Sequence, residues 1–185
     1  MPTYFTGRGD DGTTGWLGEG RIPKFGPRPE AYGTVDEASA ALGVARSLAE
    51  APAVGEVVIQ IQRDLYHLMA EVASPKETSS QFRKVDADRV RWLEDQMERF
   101  GRQVALPSEF VVPGDSHAAA AFDLARTVVR RAERLVARLQ AEGELENVDL
   151  LRYLNRLSSL CFVLELVENQ RAGFDRPRLA KADDT

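Results

Sequence analysis

The sequence predicts an all-α protein, a five-helix up-and-down bundle preceded by a glycine-rich N-terminal loop. Three observations support this prediction. Beyond residue 27, apolar residues recur at spacings of three and four, which is typical of the buried face of a helix. Short polar or turn-forming segments separate five such stretches. Residues 1–27 lack this period and hold seven of the fourteen glycines.

The first two helices have clear ends and one ambiguous start. Helix one is expected to begin within 28–35 and to end near Glu50. Pro29 suits a first helical turn, but Thr34–Glu37 also has the pattern of a capping box. The second helix carries an apolar stripe that stops at Ser74-Pro75.

The last three helices follow the same logic. A third helix fits 86–100, and a fourth fits 116–140 with a serine cap at its start. The fifth begins at Asn147 or Asp149 and ends near Ala172. We therefore expect one domain over 1–185, made of a loop (1–27), the bundle (28–172) and a polar, frayed tail (173–185).

Composition narrows the classes of function. The chain has 185 residues, of which 43% are hydrophobic and 29% charged, as in ordinary globular domains. A net charge of −5 argues against general nucleic-acid binding. The sequence has neither a signal-peptide pattern nor an apolar run of the roughly 18 residues that span a bilayer. We expect a cytoplasmic protein with no membrane or nucleic-acid partner.

The N-terminal loop has the composition of a polyphosphate cradle. Glycines let backbone N–H groups approach an anion, and threonine hydroxyls donate at the same range. Gly7 and Gly12 have P-loop spacing, but Thr13 replaces the P-loop lysine, so the loop is not a P-loop. A flexible arm is the alternative. The candidate phosphate-binding residues are Thr6, Gly7, Arg8, Gly9, Asp10, Asp11, Gly12, Thr13, Thr14 and Lys24.

The two adjacent aspartates of this loop, Asp10 and Asp11, need a separate explanation because carboxylates repel a bare triphosphate. They could contact the waters of Mg²⁺, or they could accept hydrogen bonds from the amides of the loop itself. The sequence leaves both explanations open.

A stripe of arginines marks the fourth helix. Arg126, Arg130 and Arg134 recur every four residues and so lie within about 80° on one helix face. Stacked like charges destabilise a helix, so the stripe needs an anionic partner: a ligand phosphate, or carboxylates of another helix or subunit. A solvated basic face is the alternative. Arg131 and Arg138 lie beside this face, Glu133 is the one acid among the five arginines, and the fifth helix offers Asn155 next to them.

Three groups of segments together resemble the PduO-type ATP:corrinoid adenosyltransferases. The segments are 6–15 with Lys24 and 30–37, then 110–114 with 125–134, and finally 151–158. Their order and spacing extend over about 3–170. The resemblance implies a ferritin-like, cobalamin adenosyltransferase-like bundle that forms a homotrimer with active sites at the subunit interfaces.

The resemblance also implies an activity and roles for residues. The enzyme would transfer the 5′-deoxyadenosyl group of ATP to Co(I) of cob(I)alamin, giving adenosylcobalamin and triphosphate. ATP and Mg²⁺ would be bound by the loop, Lys24, the 130–134 segment and Asn155, with no metal held by the protein alone. Asp36 matches an aspartate that pairs with the neighbouring subunit's arginine at the position of Arg126. Phe110 matches an aromatic that helps to displace the lower axial ligand of the corrinoid. The catalytic assignments are therefore Phe110, Arg130, Asp36 and Arg126.

The implied partners are a flavoprotein reductase and an adenosylcobalamin-dependent mutase or dehydratase. Four positions depart from the family pattern, namely Gly7, Asp115, Asp123 and Ser159. Gly7, Asp115 and Ser159 keep open an ATP- or corrinoid-binding carrier or regulator with little catalysis. A purely structural bundle is a third hypothesis, which leaves the arginine stripe without a reason.

Overall fold

The computed structural model describes residues 4–181, in which five α-helices follow a short β-hairpin. Strands β1 (Thr13–Gly15) and β2 (Arg21–Pro23) pair antiparallel, with Thr14 opposite Ile22. The helices are α1 (Pro27–Leu48), α2 (Pro52–Val72), α3 (Ala87–Gly101), α4 (His117–Ala141) and α5 (Val148–Arg171). The prediction of an all-α five-helix bundle is confirmed, and the hairpin is its only sheet within 4–181.

The start of α1 settles the ambiguity in the sequence. The helix begins at Pro27, and Pro29 also lies in its first turn, where a missing N–H leaves no hydrogen bond unmade. The prediction of a capping box at 34–37 is wrong. Thr34 lies inside the helix, and its hydroxyl donates to the carbonyl oxygen of Glu30 at 2.8 Å.

Side chains cap the last three helices. The Ser116 hydroxyl accepts from the N–H of Ala119, which confirms the predicted cap of α4. Of the two starts expected for α5, the structure selects Asn147, whose side chain accepts from the N–H of Asp149. Asp86 caps α3 in the same way. Each cap satisfies an N–H group that has no partner inside its helix.

The core lies where α4 packs between α1 and α5, with α2 against α1 and α3 against α5. Arg28, at the start of α1, pairs with Glu144 just beyond the end of α4, so these two helices run antiparallel. A buried polar contact ties α2 to α5: the Tyr153 hydroxyl donates to Asp64 at 2.8 Å. Burial raises the pKa of Tyr153 well above its usual value. No helix in the described part of the chain is long and apolar enough to cross a membrane.

The prediction of a frayed tail over 173–185 is wrong for the residues up to 181. The tail returns to the segment before α4, where Val111 pairs with Leu179 as an antiparallel bridge. The N–H of Ala180 donates to the carbonyl oxygen of Phe110 at 2.7 Å. Asp115 forms an ion pair with Arg178 at 3.0 Å. The outer ends of the predicted loop and tail, 1–3 and 182–185, lie outside the described residues.

Candidate functional site

The glycine-rich loop is held in shape by its own two cations. Lys24 Nζ donates to the carbonyl oxygen of Gly9 at 2.7 Å. Arg21 donates to Thr13 Oγ1 at 2.7 Å and to the carbonyl oxygen of Arg8 at 2.9 Å. A Cβ at Gly9 would lie 2.9 Å from Lys24 Nζ, so a side chain there would displace the end of Lys24 from the Gly9 carbonyl oxygen. The loop is therefore ordered by internal hydrogen bonds, and Arg21, which the sequence did not assign to the site, donates three of them.

The aspartates of the loop differ from each other. Asp11 accepts hydrogen bonds from the N–H and the hydroxyl of Thr13, at 2.9 and 2.7 Å. These bonds, the one from the hydroxyl first, lower the pKa of Asp11 below its usual value. Asp11 thus follows the second explanation, a bond to the loop's own amides. The carboxylate of Asp10 has no hydrogen-bond partner among residues 4–181.

The loop lies against the end of the bundle where α1 starts and α2 stops. The N–H of Leu17 donates to the carbonyl oxygen of Ala73 at 2.9 Å. Arg28 lies in the first turn of α1, at the same end of the bundle. Its guanidinium group donates to the carbonyl oxygens of Val72 and Ser74 at 3.0 and 2.9 Å. These contacts attach the hairpin to the end of the bundle at which α2 stops.

The arginine stripe of α4 divides into paired and unpaired members. Arg126 pairs with Asp123 at 2.7 Å, and Arg131 pairs with Glu37 of α1 at 2.5 Å. Arg130 and Arg134 are exposed, and neither has a hydrogen bond or ion pair from its side chain within 4–181. Two adjacent guanidinium groups on one helix face are therefore available to an anion.

Asn155 and Glu133 join α5 to this stripe. Asn155 Nδ2 donates to Glu133 Oε1 at 2.8 Å. Asn155 Oδ1 accepts from Arg156 at 2.9 Å. The carboxylate of Glu133 thus orients the amide of Asn155 next to the helix that carries Arg130 and Arg134.

A cavity of about 1100 Å³ lies beside Arg126 and Arg130 of the stripe, between α3, α4, α5 and the segment 106–111. It brings together three of the predicted residues, Phe110, Arg126 and Arg130. We call it the Phe110 cavity. The Phe110 side chain is 87% exposed at its rim, and no residue of the hairpin lines it within the described chain. Its other main lining residues are Met97, Leu106, Asp123, Ser158, Phe162 and Glu165.

The structure does not bring all predicted residues into one place. Asp36 lies exposed on α1 without an ion-pair partner in residues 4–181, and it does not line the Phe110 cavity. The loop residues 6–14 and Lys24 are likewise separate from Phe110. Arg126 lies about 22 Å along the helix axis from the end of α4 at Ala141. The start of α1, where the hairpin is attached, lies near that end of α4. One chain therefore presents two separate surfaces rather than one closed site.

Glu165 is a residue of the cavity that sequence reasoning missed. It is 1% exposed, and burial and then the charge of Asp123 raise its pKa to about 7, against the opposing effect of Arg126. The only signal in the sequence is a carboxylate inside the apolar run from Leu164 to Leu166. By contrast, burial raises the pKa of the Cys161 thiol to about 12, so this thiol is a packing group and not a nucleophile.

Taken together, a helical bundle, two guanidinium groups without a partner in residues 4–181 and a large, partly apolar cavity beside one of them form a site suited to an anion next to a bulky ligand. The cobalamin adenosyltransferase family model matches residues 4–168. The chain therefore belongs to the cobalamin adenosyltransferase family.

Relatives of known description agree with this assignment. The corrinoid adenosyltransferase of Mycobacterium tuberculosis is 38% identical over 176 residues, which cover 91% of this chain and 90% of the relative. The corrinoid adenosyltransferase PduO of Citrobacter freundii is 36% identical over 169 residues, or 91% of this chain. The chain spans about half the length of that PduO protein, with 50% of it covered.

Solved structures extend the likeness to the whole bundle. A variant of the PduO-type ATP:corrinoid adenosyltransferase from Lactobacillus reuteri, complexed with cobalamin and ATP, superposes with a TM-score of 0.89. The match covers 97% of this chain and 100% of that one at 29% identity. A second variant of the same enzyme, complexed with ATP, gives a TM-score of 0.87 at 30% identity.

Proposed function

We propose that this protein transfers the 5′-deoxyadenosyl group of ATP to the Co(I) centre of cob(I)alamin, releasing intact triphosphate. The observation that carries the proposal is that Arg130, which lines the Phe110 cavity, and Arg134, one turn on, have no side-chain partner within residues 4–181. The family and its relatives supply the reaction, and these two guanidinium groups supply what that reaction needs. They stabilise the negative charge that develops on the leaving triphosphate.

The other chemical requirement is alignment of the reactants. Co(I) is itself a strong nucleophile, so the protein needs no catalytic base and no covalent residue. Its task is to direct C5′ of ATP at the cobalt atom. The Phe110 cavity is large and partly apolar, which suits a corrinoid ring, and exposed Phe110 lies at its rim. Phe110 is assigned the displacement of the lower axial ligand, which makes Co(II) easier to reduce.

Mg²⁺ enters with ATP as part of the substrate. Asp10 has a carboxylate without a partner in residues 4–181, so it fits a water-mediated contact to a phosphate-bound Mg²⁺. Asp11 fits this role less well because Thr13 donates two hydrogen bonds to its Oδ1 and so fixes the carboxylate against the loop. The loop then supplies backbone N–H groups to the phosphates.

The complete site requires a second copy of the chain. Within one chain the hairpin and the Phe110 cavity are separate, and Asp36 is exposed and unpaired in the described part. We infer a homotrimer in which the hairpin of one subunit faces α4 of its neighbour. Asp36 would then compete with Asp123 for Arg126, whose present ion pair is partly exposed.

The direct test is incubation of the protein with Mg-ATP and chemically reduced cobalamin under anaerobic conditions. Adenosylcobalamin and intact triphosphate are expected in equal amounts, measured by absorbance and by ³¹P NMR. A matched reaction without reductant should give neither. Release of phosphate or diphosphate without alkylation would contradict the proposal.

Tight nucleotide binding without any turnover would instead favour the carrier or regulator. Flavoprotein reductase and mutase or dehydratase partners, and a cytoplasmic location, stay predictions.

A further inference from the structure

Glu165 differs from every other carboxylate that is buried in residues 4–181. Asp64 accepts from Tyr153, and Glu71 accepts from Asn147 at 3.0 Å. Glu168 accepts from the backbone N–H of Glu50 at 2.9 Å. Glu165 Oε2, in contrast, is buried without any hydrogen-bond partner in the described residues, although the residue lines the Phe110 cavity. Asn169, one turn further along α5, also has buried amide atoms without a partner in these residues, but it does not line the cavity. An unpartnered buried carboxyl is unfavourable, and a ligand group in the cavity would serve as the partner of Glu165.

The charges around Glu165 come from two other elements. Asp123 and Arg126 face it from α4, and Asp115 acts on it from the segment before that helix. Glu165 and Asp123 thus share one wall of the cavity with the guanidinium of Arg126, and of the three only Glu165 is fully buried. With a pKa of about 7, Glu165 is present in both protonation states near neutral pH. Arg130, Glu98 and Lys181 complete the charged lining of the cavity.

A carboxamide is the ligand group that suits this wall in both states. Its carbonyl oxygen accepts from the protonated carboxyl, and its NH₂ group donates to the ionised one. A carboxylate can pair only with the protonated form, and it meets the negative charge of Asp123 in either case. The periphery of a complete corrinoid carries carboxamides, whereas less processed corrinoids carry carboxylates at the same positions.

We propose that Glu165 binds a peripheral carboxamide of the corrinoid in the Phe110 cavity and thereby selects amidated corrinoids over those with a carboxylate at that position. The inference rests on the proposed function. It assigns to this chain a specificity residue on α5, in the same cavity that Arg126 and Arg130 line from α4.

The test compares cobalamin with the separated monocarboxylic acids that mild acid hydrolysis of its propionamides yields. Binding of each Co(II) form in the presence of Mg-ATP is measured by anaerobic equilibrium dialysis at pH 6 and pH 8. For wild-type protein at pH 8, at least one acid is expected to bind about tenfold more weakly than cobalamin. The ratio should shrink at pH 6, because more Glu165 is then protonated and can donate to the carboxylate.

Variants separate this role from a general effect of charge. Glu165→Gln keeps the shape and can donate to a carboxylate, so its preference for cobalamin should fall to about twofold or less at both pH values. Glu56→Gln removes the same charge from an exposed position on α2, outside the cavity, and should keep the wild-type preference.

The outcomes distinguish this inference from the proposed function. If every acid binds the wild type as well as cobalamin does, while adenosyl transfer to cobalamin proceeds, the inference alone is wrong. The inference alone is also wrong if Glu165→Gln still prefers cobalamin over the acids as strongly as wild type does. If the folded wild-type protein binds no cobalamin, both the proposed function and the inference are overturned.

Discussion

The hairpin and the arginine stripe of α4 both carry cations, but these cations have different partners. In the hairpin, Lys24 and Arg21 donate to carbonyl and hydroxyl oxygens of the loop itself. On α4, Arg130 and Arg134 have no partner within the described residues. The comparison shows that the hairpin uses its charges to fix a backbone shape, whereas the helix leaves two charges available for a ligand.

The largest effect is expected for the arginines of α4 that have no partner in the described residues. Arg130→Ala should reduce ATP affinity or turnover at least tenfold, about 1.4 kcal/mol or more. The variant loses the proposed contact to a phosphate from a guanidinium group that has no partner in the described residues. Arg138→Ala is the matched control, since Arg138 already pairs with Glu142 on the same helix at 2.8 Å. Steady-state kinetics with varied ATP measure both. A wild-type rate in Arg130→Ala would remove the basis for the phosphate role.

Phe110 tests the cavity side of the comparison. Phe110→Ala should slow the reaction that starts from cob(II)alamin about tenfold more than the reaction that starts from preformed cob(I)alamin, because only the first needs the axial ligand displaced. Both rates are measured by the absorbance of adenosylcobalamin. Equal losses in the two assays would show that Phe110 only binds the corrinoid.

A smaller effect is expected on stability, again at the cavity. The folded state raises the pKa of Glu165 from 4.5 to about 7, so the folded chain holds more protons than the unfolded chain between these values. The free energy of unfolding therefore falls as pH rises through that window. Glu165→Gln avoids this loss and should be about 1–2 kcal/mol more stable than wild type at pH 8, with a much smaller gain at pH 5. Urea unfolding at both pH values measures the difference, and a gain independent of pH would contradict the assigned titration.

The smallest effect is expected at the paired cations of the hairpin. Arg21→Ala should weaken ATP binding about threefold with little change in kcat, because the loop must then be ordered at the cost of binding free energy. Arg91→Ala, which disrupts an exposed ion pair inside α3, is the control. A loss as large as that of Arg130→Ala would mean that Arg21 contacts the phosphates directly.

The number and placement of the helices could be predicted because each has a complete apolar stripe and a turn at its end. The failures were local. Thr34 carries a cap signal, but Pro27 and Pro29 had already started the helix, and an interior threonine can donate to the preceding turn. The tail at 173–181 is polar in composition, and its bridge to Val111 depends on a long-range pairing that has no local signal.

The candidate site was predictable where one element carries the signal. The stripe on α4 follows from helical spacing alone, but which of its arginines are free depends on Glu37 of α1 and on Asp123. Glu165 was missed because a lone acid in an apolar stripe has no recognisable pattern until the cavity is visible. Site residues fixed by tertiary neighbours are therefore the ones that sequence reasoning leaves out.

The central claim is that the hairpin of one subunit completes the α4 site of another. Mixing subunits that lack loop residues 6–12, and with them the backbone N–H groups proposed for the phosphates, with Arg130→Ala subunits, after unfolding and refolding together, tests it most directly. If each site takes its hairpin and its α4 from different chains, random mixing at equal amounts gives about one quarter of sites with both parts intact. Adenosyl transfer should then recover to about a quarter of the wild-type rate. No recovery above the two inactive variants, with wild type refolding normally, would contradict the claim.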